Sequence, residues 1–100
     1  MSRENVQLVS ARVVHWQRAR FDVYIGRPAP RCGLAGSKWA NPFVIGRDGS
    51  RDEVIAMYEH WLRTRPELMA ALEELRGKVL GCWCPPQPCH GEVLVRLANH

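Results

Sequence analysis

The sequence predicts an α/β fold: a small, Rossmann-like, mainly parallel sheet with about three helices, built as a single domain over residues 1–100. Three observations carry this. Phe21, Val23 and Ile25 alternate with Asp22 and Tyr24, the period-2 pattern of a strand. Two helical apolar stripes follow in residues 50–77, and a short apolar strand near residues 78–84 then gives way to prolines and a last helix. The resulting order, strand, helices, strand, helix, favours parallel strands joined by helical crossovers. One hundred residues suffice for one core and are too few for two lobes with a cleft between them.

Before the clear strand, Val6, Leu8, Val13, Val14 and Trp16 lie among polar residues, a composition that suits one or two strands of unfixed register. The strand at 21–25 stops at Gly26-Arg27-Pro28. Residues 26–49 show no sustained period and are rich in Gly, Pro, Arg, Ser and Asn. Trp39 and Phe43 argue against disorder there, so an ordered loop folded over the end of the sheet is expected. Ser50 and Glu53 have capping-box spacing, and Val54, Met57, Tyr58, Trp61 and Leu62 form one stripe of the first helix. A second helix is expected after Thr64, with Pro66 in its first turn, Glu67 in capping-box position and Gly77 at its end; Leu68, Leu72 and Leu75 form its apolar face. A final helix opens near Cys89-His90 and buries Val93, Leu94, Leu97 and Ala98.

Nearly half the residues are hydrophobic and 24% are charged, which suits a globular protein and not a disordered tail. No segment pairs a basic start with an uninterrupted apolar stretch, and no run approaches the length of a membrane span, so a cytoplasmic protein without membrane association is expected. In that compartment four cysteines are better placed as metal ligands, reactive thiols or core residues than as disulfides. The net charge of +4 is uneven: residues 1–51 hold nine Lys/Arg against three Asp/Glu, residues 52–100 five against seven. A concentrated basic half suits a phosphate-bearing partner, nucleotide or nucleic acid, although basic residues also serve solubility.

Chemistry concentrates in Cys82-Trp83-Cys84-Pro85-Pro86-Gln87-Pro88-Cys89-His90. Residues two apart on a strand share a side, so Cys82 and Cys84 can present both sulfurs to one point, and a proline-rich turn can return Cys89 and His90 toward them. Three thiolates and one imidazole make a closed tetrahedral zinc set, with Cys32 in the long loop as a substitute ligand. The spacing departs from standard zinc knuckles, and a metal-free site competes: at a helix start, Cys89 as nucleophile and His90 as acid or base would sit where anions are favoured. Buried thiols beside a capping histidine are the bland alternative. His90-Gly91-Glu92 also matches the His-x-Glu element of zinc-dependent deaminases, which would make Glu92 a proton carrier, but every cysteine here precedes the histidine.

Arg27, at a strand's carboxyl end, is a candidate for gripping phosphate or carboxylate. Ser37-Lys38-Trp39-Ala40-Asn41-Pro42-Phe43 supplies a cation, amide groups and two rings; Lys38, Trp39 and Asn41 are candidate ligand-binding residues with Arg27 and Cys84. The competing reading makes Trp39 and Phe43 core anchors and Asn41-Pro42 a turn.

Together, Gly26-Arg27-Pro28, Ser37-Lys38-Trp39-Ala40-Asn41-Pro42-Phe43, Ile45-Gly46, Leu80-Gly81-Cys82-Trp83-Cys84-Pro85 and Cys89-His90-Gly91 resemble the domain-of-unknown-function family numbered 4326, found in bacteria and their phages. The resemblance covers about residues 20–98 and implies family membership and a phage or prophage origin, with no particular reaction. Residues 79–97 are also similar to another uncharacterised Rossmann-like family, in which a strand ends in cysteine and a Cys-His pair opens the next helix; arginine is usual there where this chain has Gly91. That similarity implies that strand end and helix start form one pocket wall.

Two functions follow as expectations. One is a nucleotide- or nucleic-acid-directed protein, an enzyme or a binding protein, with a Cys/His/Arg/Lys pocket at the sheet's carboxyl edge; as an enzyme it would use Cys89 or His90 as nucleophile or acid/base and Glu92 as proton acceptor. The other is a non-enzymatic module, stabilised by zinc at Cys82, Cys84, Cys89 and His90, that binds nucleic acid or a host protein.

Overall fold

The computed structural model describes residues 11–99. Val6 and Leu8, expected in an early strand, lie outside the described residues. Three parallel strands form the sheet: β1 (Arg12–His15), β2 (Val23–Tyr24) and β3 (Val79–Cys82), in the order β1-β3-β2. Leu80 pairs with Val13 on one side and Val23 on the other, so the last strand in sequence is the central one. The β2 region is extended by Asp22 N–H to the Val79 carbonyl (2.7 Å) and Ile25 N–H to the Gly81 carbonyl (3.0 Å). The expected α/β class with a parallel sheet and three helices is what the chain adopts.

The first helix, α1 (Arg51–Arg63), starts where the capping box places it: Glu53 N–H donates to Ser50 Oγ (3.2 Å) and Ser50 N–H to Glu53 Oε1 (2.8 Å). Val54, Tyr58 and Leu62 of its stripe are buried, whereas Met57 and Trp61 are half-buried. The second, α2 (Pro66–Ala71), continues as a 3₁₀ turn, Leu72–Leu75, and carries Leu68, Leu72 and Leu75 into the core. Thr64, expected to begin α2, instead closes α1, its N–H and Oγ1 both donating to the Trp61 carbonyl. The cause is Pro66: the residue before proline is pushed to extended geometry, and Arg65 (φ −112°, ψ 91°) takes that position, so the chain breaks between the helices there. Gly77, at φ +76°, then turns the chain into β3 through a conformation that residues with a Cβ rarely adopt.

The last helix, α3 (Gly91–Ala98), packs Val93, Leu94 and Ala98 into the cluster formed by Ile25, Tyr58, Leu62, Leu75 and Leu80. Its end is clipped to the start of β1, because Asn99 Oδ1 accepts from Ala11 N–H (2.8 Å) while Asn99 Nδ2 donates to the Ala11 carbonyl (3.2 Å). The long loop is ordered and anchored. Trp39 is 2% exposed in the same core, and the buried Tyr58 hydroxyl donates to its carbonyl at 2.7 Å.

Candidate functional site

The strands run out together at one edge. Beyond β3 the chain leaves the ladder at Trp83, turns through the cis Pro85–Pro86 peptide with Gln87 N–H bonded to the Cys84 carbonyl (2.8 Å), and re-enters the fold at α3. Between this turn, the loop after β2 and the first turn of α1 lies a cavity of about 400 Å³. That volume is within the usual range for sites that hold small organic molecules.

Cys82, Cys89 and His90 form its floor. All three are buried, and the sulfur or nitrogen each offers lies within 4.8 Å of the other two. The Cys84 thiol reaches both the Cys82 and Cys89 thiols and is half-exposed. Every cysteine is free, and Cys32 stands exposed outside this group. The sulfurs are electrostatically distinct. Thiol donors from Cys82 and Cys89, then the Arg51 guanidinium, hold Cys84 well below an ordinary thiol. Its S–H partnership with Cys84 raises Cys82, and its contacts with Cys82 and Cys84 together with burial raise Cys89. Cys84 is the least buried of these three sulfurs.

His90 is 7% exposed, edge-on to the Tyr58 ring at 4.8 Å. Burial lowers its pKa, opposed by the Ile25 and Trp39 backbone. Its Nε2 lies 2.9 Å from the Ile25 carbonyl; a carbonyl only accepts, so Nε2 bears the hydrogen and, in the neutral ring, Nδ1 the lone pair.

Arg27 and Asn41 border the cavity, yet their polar groups also hold the loop. Arg27 donates from Nε and Nη2 to the Asn41 carbonyl (3.1 and 2.8 Å) and from Nη2 to the Phe43 carbonyl (2.8 Å). Asn41 Nδ2 donates to the Val54 carbonyl (3.3 Å), and its Oδ1 accepts from Phe43 N–H (2.9 Å). Of the residues anticipated from sequence, Arg27, Asn41, Cys82, Cys84, Cys89 and His90 meet at this site. Lys38 does not: it pairs with Glu74 at 2.9 Å and lies over the Trp39 ring. Trp39 is packed in the core, and Glu92 is exposed and away from the cavity wall.

Two further residues shape the cavity and were not singled out as site residues from sequence. Arg51 donates from Nη1 to the Pro88 carbonyl (3.0 Å) beside Cys84. Helix geometry carried the signal, since Arg51 is three and four residues before Val54 and Ile55, which share its face and line the same cavity. Trp83 is 43% exposed but not loose: its Nε1 donates to the Tyr24 hydroxyl (2.6 Å), that hydroxyl donates to the Arg27 carbonyl (2.6 Å), and Trp16 packs against its ring at 5.0 Å. No periodicity could have announced an exposed ring held in place by three distant residues.

The family described as "Domain of unknown function (DUF4326)" matches residues 9–100. The chain belongs to this family. The chain is 36% identical over 93 residues to the "Uncharacterized 12.4 kDa protein in nrdA-td intergenic region" of Enterobacteria phage T4, an alignment covering 88% of this chain and 77% of the phage protein. It is 38% identical over 89 residues to "Uncharacterized protein R718" of Acanthamoeba polyphaga mimivirus, covering 76% of this chain and 65% of that protein. No solved structure matches the chain. The Cys/His floor and its cavity thus lie within the DUF4326 region itself. Among the described residues, no helix is long and apolar enough to cross a membrane.

Proposed function

We propose that the protein binds a nucleotide in the cavity at the carboxyl edge of its sheet. The observation that carries this is a wall with two characters. Apolar and aromatic groups, Phe43, Ile45, Val54 and the fixed Trp83 ring, line the cavity together with the Arg51 guanidinium, and the Arg27 guanidinium, bonded to the loop carbonyls, borders it. A flat base stacks on a ring that is already immobilised, and its phosphate takes the guanidinium edge. Because Trp83 is held before any ligand arrives, binding does not spend side-chain entropy on ordering it. The edge beyond the strand ends is also where open parallel sheets place ligands, and the basic first half of the chain draws anions toward it.

Titration calorimetry with nucleoside mono-, di- and triphosphates tests this, using the matching nucleosides and inorganic phosphate as controls. One nucleotide class is expected to bind. Arg51→Ala should weaken it about 10- to 100-fold, the range for losing one charge-assisted hydrogen bond, and Trp83→Ala should weaken the nucleoside contribution. Absence of binding across the whole panel at about 1 mM, near the weak end of specific affinities, would refute the reading.

A further inference from the structure

We infer that Cys82, Cys84, Cys89 and His90 form a zinc site at the floor of the cavity. The inference stands on the cluster's own geometry and is independent of which ligand the cavity takes. In a tetrahedral site with Zn–S of about 2.3 Å and Zn–N of about 2.0–2.1 Å, neighbouring donor atoms stand about 3.5–3.8 Å apart. Cys82, Cys89 and His90 already offer donors within 4.8 Å of one another, from a strand end and a helix start held rigidly by the core. Small side-chain movements therefore bring them onto one ion. Cys84, in reach of both buried sulfurs, supplies the fourth corner from the solvent side.

The surroundings suit a bound metal. The His90 Nε2 hydrogen is donated to the Ile25 carbonyl, the outer-shell arrangement by which metal-bound imidazoles are oriented, leaving the other nitrogen to ligate. Gly91 N–H donates to Cys89 Sγ at 3.2 Å, an amide-to-sulfur bond that stabilises a thiolate. Three thiolates and one Zn²⁺ leave a net negative charge, and the Arg51 guanidinium beside Cys84 offsets it. On the cavity side, the ionisable groups near the cluster are Arg27 and Arg51; Tyr58 faces it from α1. Loading releases the thiol protons and forms three Zn–S bonds and one Zn–N bond, with no change in oxidation state.

The protein, purified without a metal-chelating tag from zinc-supplemented cells, should carry about one zinc per chain by elemental analysis. After metal removal under reducing conditions, Co²⁺ titration should produce thiolate-to-cobalt charge-transfer absorption and tetrahedral d–d bands. Cys84→Ser, at a half-exposed position, should retain the far-ultraviolet dichroism of the fold while weakening the charge-transfer band and lowering zinc affinity at least tenfold. If chelation unfolds the chain and zinc restores it, the site is confirmed as structural, even where Cys82→Ser and Cys89→Ser fail to fold. A folded protein with less than about a tenth of a zinc per chain and no cobalt band overturns the inference, as does a Cys82–Cys89 disulfide in freshly isolated protein. Nucleotide affinity is read separately by calorimetry, so failure of either reading leaves the other identifiable.

Discussion

Gly91 sits where α3, β1 and the cysteine floor meet, and its lack of a side chain is what lets them approach. A Cβ there would stand 2.8 Å from Val13 Cγ2, 2.9 Å from Ile25 Cδ1 and 3.1 Å from Cys89 Sγ. Carbon atoms in contact prefer about 3.5–4.0 Å, so Gly91→Ala demands shifts of more than half an ångström from a β-branched Val13 and a fully buried Ile25. Overpacking of this kind costs about 1–3 kcal/mol. Alanine returns up to about 1 kcal/mol through helix propensity and a stiffer unfolded chain. The net expectation is a loss of about 1–2 kcal/mol, which for a domain near 100 residues lowers Tm by roughly 4–16 °C. Urea unfolding followed by circular dichroism should show a lower midpoint with an unchanged slope. Val13→Ala removes one of the clashing methyls, so Gly91→Ala should cost less in that background, a coupling of about 0.5–1 kcal/mol. An unchanged or raised midpoint for Gly91→Ala would show that the packing reasoning is wrong.

Tyr58→Phe removes a buried donor from the Trp39 carbonyl (2.7 Å) without changing the ring, and should cost about 1–2 kcal/mol in urea denaturation; a change below about 0.3 kcal/mol would mean that the carbonyl is satisfied otherwise. Asn41→Ala deletes two hydrogen bonds that hold the cavity loop, with an expected loss of about 2 kcal/mol and faster tryptic cleavage after Arg47; unaltered cleavage would contradict its anchoring role. Glu59 is held down to about 2 by Arg96 first and Arg63 second. A depressed carboxylate stabilises the fold above its unfolded pKa of about 4.3, and that contribution is lost as pH falls from there through about 2. Solvent screening of these exposed arginines limits it to about 1 kcal/mol. Glu59→Gln should therefore be less stable than the parent at pH 7 and nearly equal to it at pH 2, a convergence absent if the pairs do no work.

The sequence was most informative where periodicity and spacing act locally. The Ser50–Glu53 box, the Val54–Leu62 stripe and the alternation at 21–25 each need only a few neighbouring residues, and each reappears in the structure. The break at Arg65 was missed because two rules compete within three residues, Thr64 as a cap for the next helix and Pro66 as a constraint on its predecessor, and the proline constraint is steric and prevails. Arg27, Asn41 and the four-residue Cys/His set were legible because residue type alone nominates them. Lys38 and Trp39 share one segment with Asn41 yet point elsewhere, the lysine to Glu74 and the indole into the core. Only the tertiary path of an aperiodic loop decides that.

Rigid cavity walls pre-organise a site for its ligand. The long loop supplies that rigidity from its own polar groups: the Arg27 guanidinium ties two loop carbonyls, Asn41 ties the loop to α1, and Trp39 roots it in the core. These bonds explain why residues that look like ligand grips in the sequence are spent largely on the backbone. The cavity's free chemistry then falls to what that scaffold holds without consuming, namely the exposed face of Trp83, the Arg51 guanidinium and the sulfur of Cys84. Arg51 and Cys84 adjoin one another, so a ligand anion at Arg51 and a metal at the cysteines would feel each other's charge directly. Three thiolates and one Zn²⁺ carry the same single negative charge as one thiolate among neutral thiols, so loading the floor with zinc leaves the repulsion on an incoming phosphate little changed, and the two proposed occupants are not alternatives.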